Sequence, residues 1–582
     1  MKEYVVALLQ GKGNGVEVGI AVHSLMTGHI ADTPFFHKTL QHLTLHPPCT
    51  VLVPDSSNNH NADVENPGTN LTQEVEEYLE LKCDLLSREW WNSESGTTYI
   101  LDLSLPDEVR ASTLMASADK YYALCATSAL FKFLENRQGV FYDKETLQIR
   151  YTTSEGTMFI DTETAKNLEL VKNILTHKTS NTLYGLLNKC CTPMGSRLLR
   201  GNILQPSNVR DTIQSRHDAV QGTWKQIWGR LTRVELLLSS EKLKSIRARL
   251  EALGHTDLDK LINQATRKVL GPVDVVNTDI RISILLQLEK YIQATKNLLS
   301  EVTSNRCRIL IEIQKELSNA VLSEIQGKIQ GKVYALETHA DDTECLSTEM
   351  VVTNVKQRNA TTSRLYAVKA EFNHLLDVAR KTYKENLDDI EQLERDFEGM
   401  YAGDQTVDVL NIGTEQHSLQ CRLEPVENKF RLTLTNQEVD GKALPSECIN
   451  VQYKKNNGEI VTELLASVVA DIRGLYRSSD AIAKLDVLAC FAELASFRPE
   501  FSDTIAVKAG RHPILDQTLG SGDCVPNDIY AVQGHASFQL IQGPNMSGKS
   551  TFLRQVGLLT VQAMLGCYRL SNDDSLDRNL TK

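Results

Sequence analysis

The sequence predicts a multidomain protein of α and α/β parts. Three observations carry that prediction. The chain has 582 residues, too many for one hydrophobic core. Its apolar residues run in short β-like stretches near the N-terminus and switch, after Asp161, to leucine-rich helical periodicity. Near residue 543 a glycine-rich loop joins an apolar run to a helix.

Composition narrows the class. Hydrophobic residues make up 41% and charged residues 23% of the chain, values ordinary for a globular protein. There is no run of about 18 apolar residues, so no membrane partner is expected. MKEYVVALLQ reads as a first strand, because Glu3 spoils the basic-then-apolar pattern of a secretion signal. The formal net charge of −12 excludes a uniformly basic surface but leaves room for a local basic channel. Twelve cysteines occur without a Cys-x-x-Cys pair, and Cys190 and Cys191 are adjacent. Reduced thiols are therefore expected, not a zinc set or a disulfide framework.

Residues 1–150 read as an α/β unit. Tyr4–Leu9 and Val16–Val22 are β-rich runs separated by GKGNG, which predicts a hairpin. Its glycines open no helix, so the loose likeness to a dinucleotide fingerprint is set aside. Thr50–Val53 is a further strand, and Tyr99–Leu103 is a strand candidate. PDSSNNHNADVENPGTN, at 54–70, lacks apolar periodicity and is expected to be a mobile loop. Ala111–Leu134 has helical composition and spacing. His37, His42, His46 and Cys49 fit no zinc spacing and are read as core or surface residues.

From Asp161 to about Met350 the pattern is helical. Over Arg364–Phe397 it sharpens, with Leu365, Val368, Phe372 and Leu375 opening an apolar stripe. A helix of that span is roughly 50 Å long. Val407–Ile460 then reads as short strands and turns, and helix returns near Leu464, with Leu485, Leu488, Ala492 and Ala495 on one face. A helix out, a β-rich tip and a helix back fit a clamp arm. A helical hairpin carrying an insertion fits the same pattern.

After Arg498-Pro499 come the short β-like runs DTIAVKAG, RHPIL, CVPNDIYAVQG and SFQLIQG. Phe538–Gln542 is expected to be a buried strand and Thr551–Leu565 a helix, with G-x-x-x-x-G-K-S at 543–550 between them. Gly543, Pro544, Asn545, Met546, Ser547, Gly548, Lys549, Ser550 and Thr551 are the candidate ATP-binding residues. The glycines let backbone N–H groups turn toward phosphate oxygens, and the helix N-terminus adds a favourable dipole. Lys549 would neutralise the β- and γ-phosphates, and the Ser550 hydroxyl would ligate Mg²⁺. No apolar strand ending in Asp or Glu follows Lys549, so no catalytic residue is assigned and turnover of ATP by this chain alone is not expected. YRLSNDDSLDRNLTK reads as a disordered or non-native tail.

GPNMSGKST followed by a leucine-rich helix resembles the phosphate loop of the MutS family of DNA mismatch-recognition ATPases. RPEFSDTIAVKAGRHPILD and VPND resemble the segment that leads into it. DTETAKNLEL at 161–170 and TLYGLLNKCCTPMGSRLLRGNILQP resemble the start of the family's core, and FNHLLDVARKTY and KLDVLACFAELA its lever helices. The likeness runs from about Tyr4 to Tyr568. EVGIAVHSLMTG, DKYYALCATSALFKFLE and RPEFSDTIAVKAGRHPIL are similar to the family's meiotic crossover branch.

The resemblance implies a connector-like α/β domain at 1–150 and a helical core at 151–363. It implies lever helices at 364–497 with a β-rich clamp insertion at about 401–460, and the truncated first part of a P-loop ATPase domain at 498–582. It further implies a nuclear protein of meiotic chromosomes, heterodimeric with MutS homologue five. That pair would close as a sliding clamp on double-stranded DNA and on branched recombination intermediates such as Holliday junctions. MutL-type proteins are implied as further partners. Arg364, Lys369, Lys429, Arg431, Lys454 and Lys455 are candidates for phosphate contact, or else solvated surface charges.

Three features depart from the family pattern, one of them being that the likeness ends at Gly566-Cys567-Tyr568. No mismatch-binding domain precedes the connector-like segment. Phe133-Leu134-Glu135 and Phe491-Ala492-Glu493 match the letters of the family's Phe-x-Glu wedge, but their apolar helical setting favours packing. Cys524 falls near where several members place an aromatic residue against adenine. A truncated, non-hydrolysing regulatory or scaffold form and a mismatch-binding repair sensor are the alternative functions.

Overall fold

Every residue from Val5 to Leu8 in the run YVVALLQ is buried, with Val5 and Ala7 in one apolar cluster and Val6 and Leu8 in another. A strand with that property must sit mid-sheet, covered on both faces. The computed structural model places it so. It describes residues 4–11, 17–24, 28–33, 36–55, 68–152, 155–228, 233–268, 275–302, 308–332, 421–426, 429–434, 457–494, 504–519, 524–532 and 538–567, with 381, 385, 392, 499, 501, 502 and 534 singly.

The strands β1 (Tyr4–Gln10), β2 (Val18–Ser24), β3 (Gly28–Thr33), β4 (Pro48–Pro54), β5 (Asp84–Leu86) and β7 (Ile149–Tyr151) form one sheet in the order β5-β4-β1-β2-β3-β7. β1–β2 and β2–β3 are antiparallel; β1–β4, β4–β5 and β3–β7 are parallel. The predicted hairpin is present, with Gln10 opposite Val18 and the Gly11 N–H donating to Glu17 O at 2.8 Å. Helices α1 (Phe36–Leu45) and α2 (Gly68–Leu79) cover one face through Leu43, Leu71 and Val75. On the other lie α3 (Ser93–Leu103) and α5 (Tyr121–Gln138). α5 approaches β2 so closely that a Cβ on Gly19 would lie 2.1 Å from the Tyr122 carbonyl carbon.

Two expectations for this region change. Tyr99–Leu103 is the end of α3, not a strand: the Asn92 side chain caps the helix by accepting from the Glu94 and Ser95 N–H groups, and Gly96, Ile100 and Leu103 recur at helical steps toward the core. Ala111–Leu134 is two helices, α4 (Glu108–Ser117), capped by Asp107, and α5. Residues 56–67 of the expected loop lie outside the described residues, and α2 begins within its last residues, at Gly68.

The helical part comprises α6 (Thr162–Asn167), α7 (Leu183–Leu187), α8 (Pro193–Leu204), α9 (Arg210–Trp228), α10 (Arg233–Gly254), α11 (Leu258–Thr266), α12 (Val275–Leu299), α13 (Arg308–Leu317) and α14 (Ala320–Lys332). Two-residue strands β6 (Phe141–Tyr142) and β8 (Arg267–Lys268) pair antiparallel. After β9 (Cys421–Val426) and β10 (Lys429–Leu434) the helices resume with α15 (Asn457–Val469) and α16 (Ile472–Leu494). α16 is buried on almost every face, against α8, α9, α11 and α13, and Leu485, Leu488 and Ala492 of the predicted stripe are among its buried residues. Ala495 lies outside the described residues.

The chain divides into two units. One comprises Met1–Gly271, Ile284–Gly327 and Ala466–Lys582; the other comprises Pro272–Ser283 and Lys328–Leu465. In the second, β9 and β10 pair antiparallel, two short strands within the Val407–Ile460 segment read as strands and turns. The strand-and-turn reading of Val407–Ile460 changes at its end: from Asn457 the chain is helix α15, because Val461, Leu464, Leu465 and Val468 are buried at helical spacing. The predicted helix Arg364–Phe397 lies outside the described residues apart from Lys381, Glu385 and Gln392, which are helical. No described helix is long and apolar enough to cross a membrane.

Candidate functional site

The glycine-rich loop is followed by α18 (Lys549–Leu565), two residues longer at its start than predicted. Before it come β11 (Thr504–Gly510), α17 (Pro513–Leu519) and β12 (Asn527–Val532). Gly548 caps α18 with φ 90°, in the left-handed region, and Met546 has φ 65°. Alternating backbone handedness of this kind turns successive N–H groups to one side and makes a nest for an anion. A Cβ on Gly543 would fall 2.6 Å from Ser547 Oγ, so the loop closes only around glycine.

Lys549 Nζ donates to the carbonyls of Gly543 at 2.7 Å and Pro544 at 2.6 Å, which sets its charge across the loop. The first turn of α18 carries no acid to offset the positive end of the helix dipole. Residues 543–548 and Ser550 are exposed, and Thr551 is half-buried. The arrangement can take a polyphosphate from solvent, with backbone N–H groups and Lys549 as donors. The described residues hold no group of three His, Cys, Asp or Glu able to hold a metal ion.

Around the loop two expectations fail. Phe538–Gln542 is not a strand: Phe538 is 86% and Leu540 73% exposed. A buried strand needs a ladder partner and two covered faces. Among the described residues β11 and β12 pair only with each other, and Gln539 reaches β12 only through its side chain, onto Tyr530 O. RHPIL is helical from Pro513: proline is favourable at a helix start, and His512 Nδ1 accepts from the Leu515 N–H at 3.3 Å.

Sequence reasoning also missed what holds α18 in place. The buried Gln555 donates to Gly510 O at 2.8 Å and accepts from Asn527 Nδ2 at 3.2 Å, tying both strands to the helix. Ile529 and Leu559 pack beneath these bonds. A glutamine among the apolar positions of α18 was the available signal. On the opposite side Gly557 faces Leu168, and His217 Nε2 is hydrogen-bonded to Ala563 O at 3.1 Å. His512 is buried, and burial first, then Arg554, lowers its pKa to about 4.

Other sequence candidates lie elsewhere. Arg364, Lys369, Lys454 and Lys455 are outside the described residues; Lys429 and Arg431 stand in β10, opposite Val426 and Glu424. Phe133 on α5 and Phe491 on α16 are buried, 5% and 1% exposed, so neither Phe-x-Glu match presents a free wedge. Cys524 is half-buried just ahead of β12. His42 is buried, its pKa lowered by desolvation and then Lys38 to about 4, while Cys49 is exposed and donates to Tyr4 O at 3.1 Å.

Comparison with known proteins gives this geometry its context. The chain is 28% identical to "MutS protein homolog 4" of Homo sapiens, over 99% of this chain and 62% of that protein. It is 27% identical to "MutS protein homolog 4" of Saccharomyces cerevisiae, over 94% and 61%. It is 25% identical to "DNA mismatch repair protein MutS" of Chlorobaculum tepidum, over 76% and 47%. The chain thus spans about three fifths of the length of the first two relatives. MutS domain V matches residues 539–576, the segment that contains the loop. MutS domain III matches 163–492, more than half of the sequence, and on that ground the chain belongs to the MutS family.

Proposed function

We propose that residues 543–551 bind ATP, with Ser550 ligating Mg²⁺. In this reading the chain is a DNA-binding subunit of a MutS-type sliding clamp that acts on recombination intermediates such as Holliday junctions and promotes meiotic crossing over. Its partner is MutS homologue five, MutL-type proteins are further partners, and its place is the nucleus, on meiotic chromosomes. The carrying observation is the similarity to relatives named MutS homolog 4 over nearly the whole chain. The loop geometry supports the nucleotide part: Lys549 spans the Gly543 and Pro544 carbonyls at the N-terminus of α18. Binding alone is assigned, and no residue is given a hydrolytic role.

Photocrosslinking to labelled ATP with Mg²⁺ tests the nucleotide part. The wild-type chain is expected to label and Lys549→Ala to lose the label; equal labelling would overturn it. For the DNA part, the chain co-expressed with MutS homologue five is expected to hold a closed-ended Holliday junction more persistently with ATP than without. Release at the same rate under both conditions would count against a nucleotide-controlled clamp.

A further inference from the structure

Where β7 and the start of α4 meet the N-terminal turns of α16, they enclose a cavity of about 180 Å³. That is several times the ~30 Å³ that one water takes up in the liquid. Three arginines line it: Arg150 from β7, and Arg473 and Arg477, one turn apart on α16. Arg150 is spent on Asp480, at 2.7 Å across the cavity wall. The other two are held only loosely. Arg473 Nε stands 4.0 Å from Asp107 and Arg477 Nη1 3.8 Å from Glu316, both beyond hydrogen-bonding distance. Their side chains are 46% and 43% exposed, so a solute reaches both.

The acids on the same wall are Asp107, Glu108 and Asp480. Asp480 is taken by Arg150, and Asp107 is the N-cap of α4, accepting the Arg110 N–H at 3.0 Å. Glu108 is exposed to water. The Ala111 N–H also bonds Asp107, through its carbonyl. That leaves the N–H groups of Glu108 and Val109, both residues of the cavity wall, as the ones a helix start provides no partner for. α16 adds a second helix start. Its first turn carries Arg473 and no acid, with Asp471 just ahead of it. A cation at the positive end of a helix is unfavourable unless an anion sits beside it.

We infer that this cavity is a binding site for a tetrahedral oxyanion of the phosphate class. The Arg473 and Arg477 guanidiniums take its oxygens from the α16 side, and the Glu108 and Val109 N–H groups take them from the α4 side. Side chains four apart on a helix are neighbours, about 5–6 Å between Cβ atoms, so two such forks converge on one anion, and the planar guanidinium suits phosphate oxygens in pairs. None of residues 543–551 lines the cavity, so its occupancy is independent of the glycine-rich loop. The bound anion would join α4 to α16 beside the Arg150–Asp480 ion pair, which spans 330 positions of sequence.

Arginine-selective labelling tests this on the full chain. The protein is treated with phenylglyoxal in inorganic phosphate or in chloride of equal ionic strength, and the labelled arginines are mapped by mass spectrometry. Labelling of Arg473 and Arg477 is expected to slow about threefold when phosphate reaches twice its dissociation constant, because one third of the sites are then free. Arg308, 88% exposed on α13, should label at the same rate in both salts. Lys549→Ala is expected to keep the protection, and Arg477→Gln to lose it at Arg473. Phosphoserine acting at lower concentration than phosphate would identify the ligand as a phosphate monoester, and the reverse order as the free ion; both place an oxyanion here. Equal labelling in phosphate and chloride would overturn the proposal. So would equal slowing at Arg308, loss of protection in Lys549→Ala, or unchanged protection of Arg473 in Arg477→Gln.

Discussion

Asp486, midway along α16, accepts the backbone N–H of Thr192 at 2.7 Å and its hydroxyl at 2.6 Å, across 294 positions of sequence. Its other oxygen accepts the Cys191 N–H at 3.0 Å. Thr192 is the N-cap of α8 and itself accepts from the Gly195 N–H at 3.1 Å. The cap of one helix is therefore set by a carboxylate on another. Removing the acceptor leaves buried donors unmet, at about 1–3 kcal/mol each. Asp486→Ala is expected to speed hydrogen exchange at Cys191, Thr192 and Gly195 by more than tenfold while β1 and β2 stay protected. Unchanged exchange in peptide 190–197 would show that the cap forms without Asp486.

Gly195 gives a second test of the same contact. A Cβ there would stand 2.3 Å from Asp486 Oδ2, so Gly195→Ala must push the carboxylate off the cap. Because the obstruction is a side chain, Asp486→Ala relieves it. The double variant is expected to cost clearly less than the sum of the two single ones, as contacting sites do. At Gly19 the obstruction is the Tyr122 backbone at 2.1 Å, which no side-chain removal relieves. Gly19→Ala is therefore expected to lower the thermal midpoint more than Gly195→Ala, as differential scanning fluorimetry would show.

How much of this could be read from sequence follows from which interactions are local. The β1–β2 hairpin, the strand composition at β9 and β10 and the loop-to-α18 junction were legible because turn residues and apolar patterning are properties of neighbours in sequence. Tyr99–Leu103 was misread because five residues, all apolar but Asp102, fit a short strand; the cap at Asn92 that makes them helical lies outside that window. Phe538–Gln542 has strand composition, but strand formation depends on ladder partners that composition does not supply. The Gln555 and Asp486 contacts were invisible for the same reason, since each joins segments far apart in the chain.

In the loop, two glycines should respond differently to alanine. Gly548 has open space around its Cβ position but φ 90°, so Gly548→Ala carries only backbone strain, about 1 kcal/mol or somewhat more. Gly543→Ala meets Ser547 Oγ at 2.6 Å and must open the loop. Labelled-ATP crosslinking is expected to fall in both. Adding Ser547→Gly should restore part of it in the Gly543 variant and none in the Gly548 variant. Equal rescue in both would mean that the Gly543–Ser547 approach does not shape the site.

Acid should loosen the first unit through histidines that fold neutral. Burial first, then Arg267, lowers the His23 pKa to about 3; its Nε2 meets the Tyr142 hydroxyl at 3.0 Å and its ring lies against Phe131. His42 and His512 are lowered to about 4, chiefly by burial. In the unfolded chain each titrates near 6.5. Between about 4 and about 6.5 the unfolded state thus binds protons that the folded state refuses, and stability falls as pH falls. The full contribution is present above about 6.5, and the loss approaches about 1.4 kcal/mol per pH unit for each histidine. His23→Gln removes one such group beside Phe131, a member of the apolar cluster that includes the buried Trp91. Urea midpoints followed by tryptophan fluorescence are expected to drop less between pH 6.5 and 4.5 in His23→Gln than in wild type. Parallel pH curves for the two proteins would show that His23 already takes up a proton in the folded state.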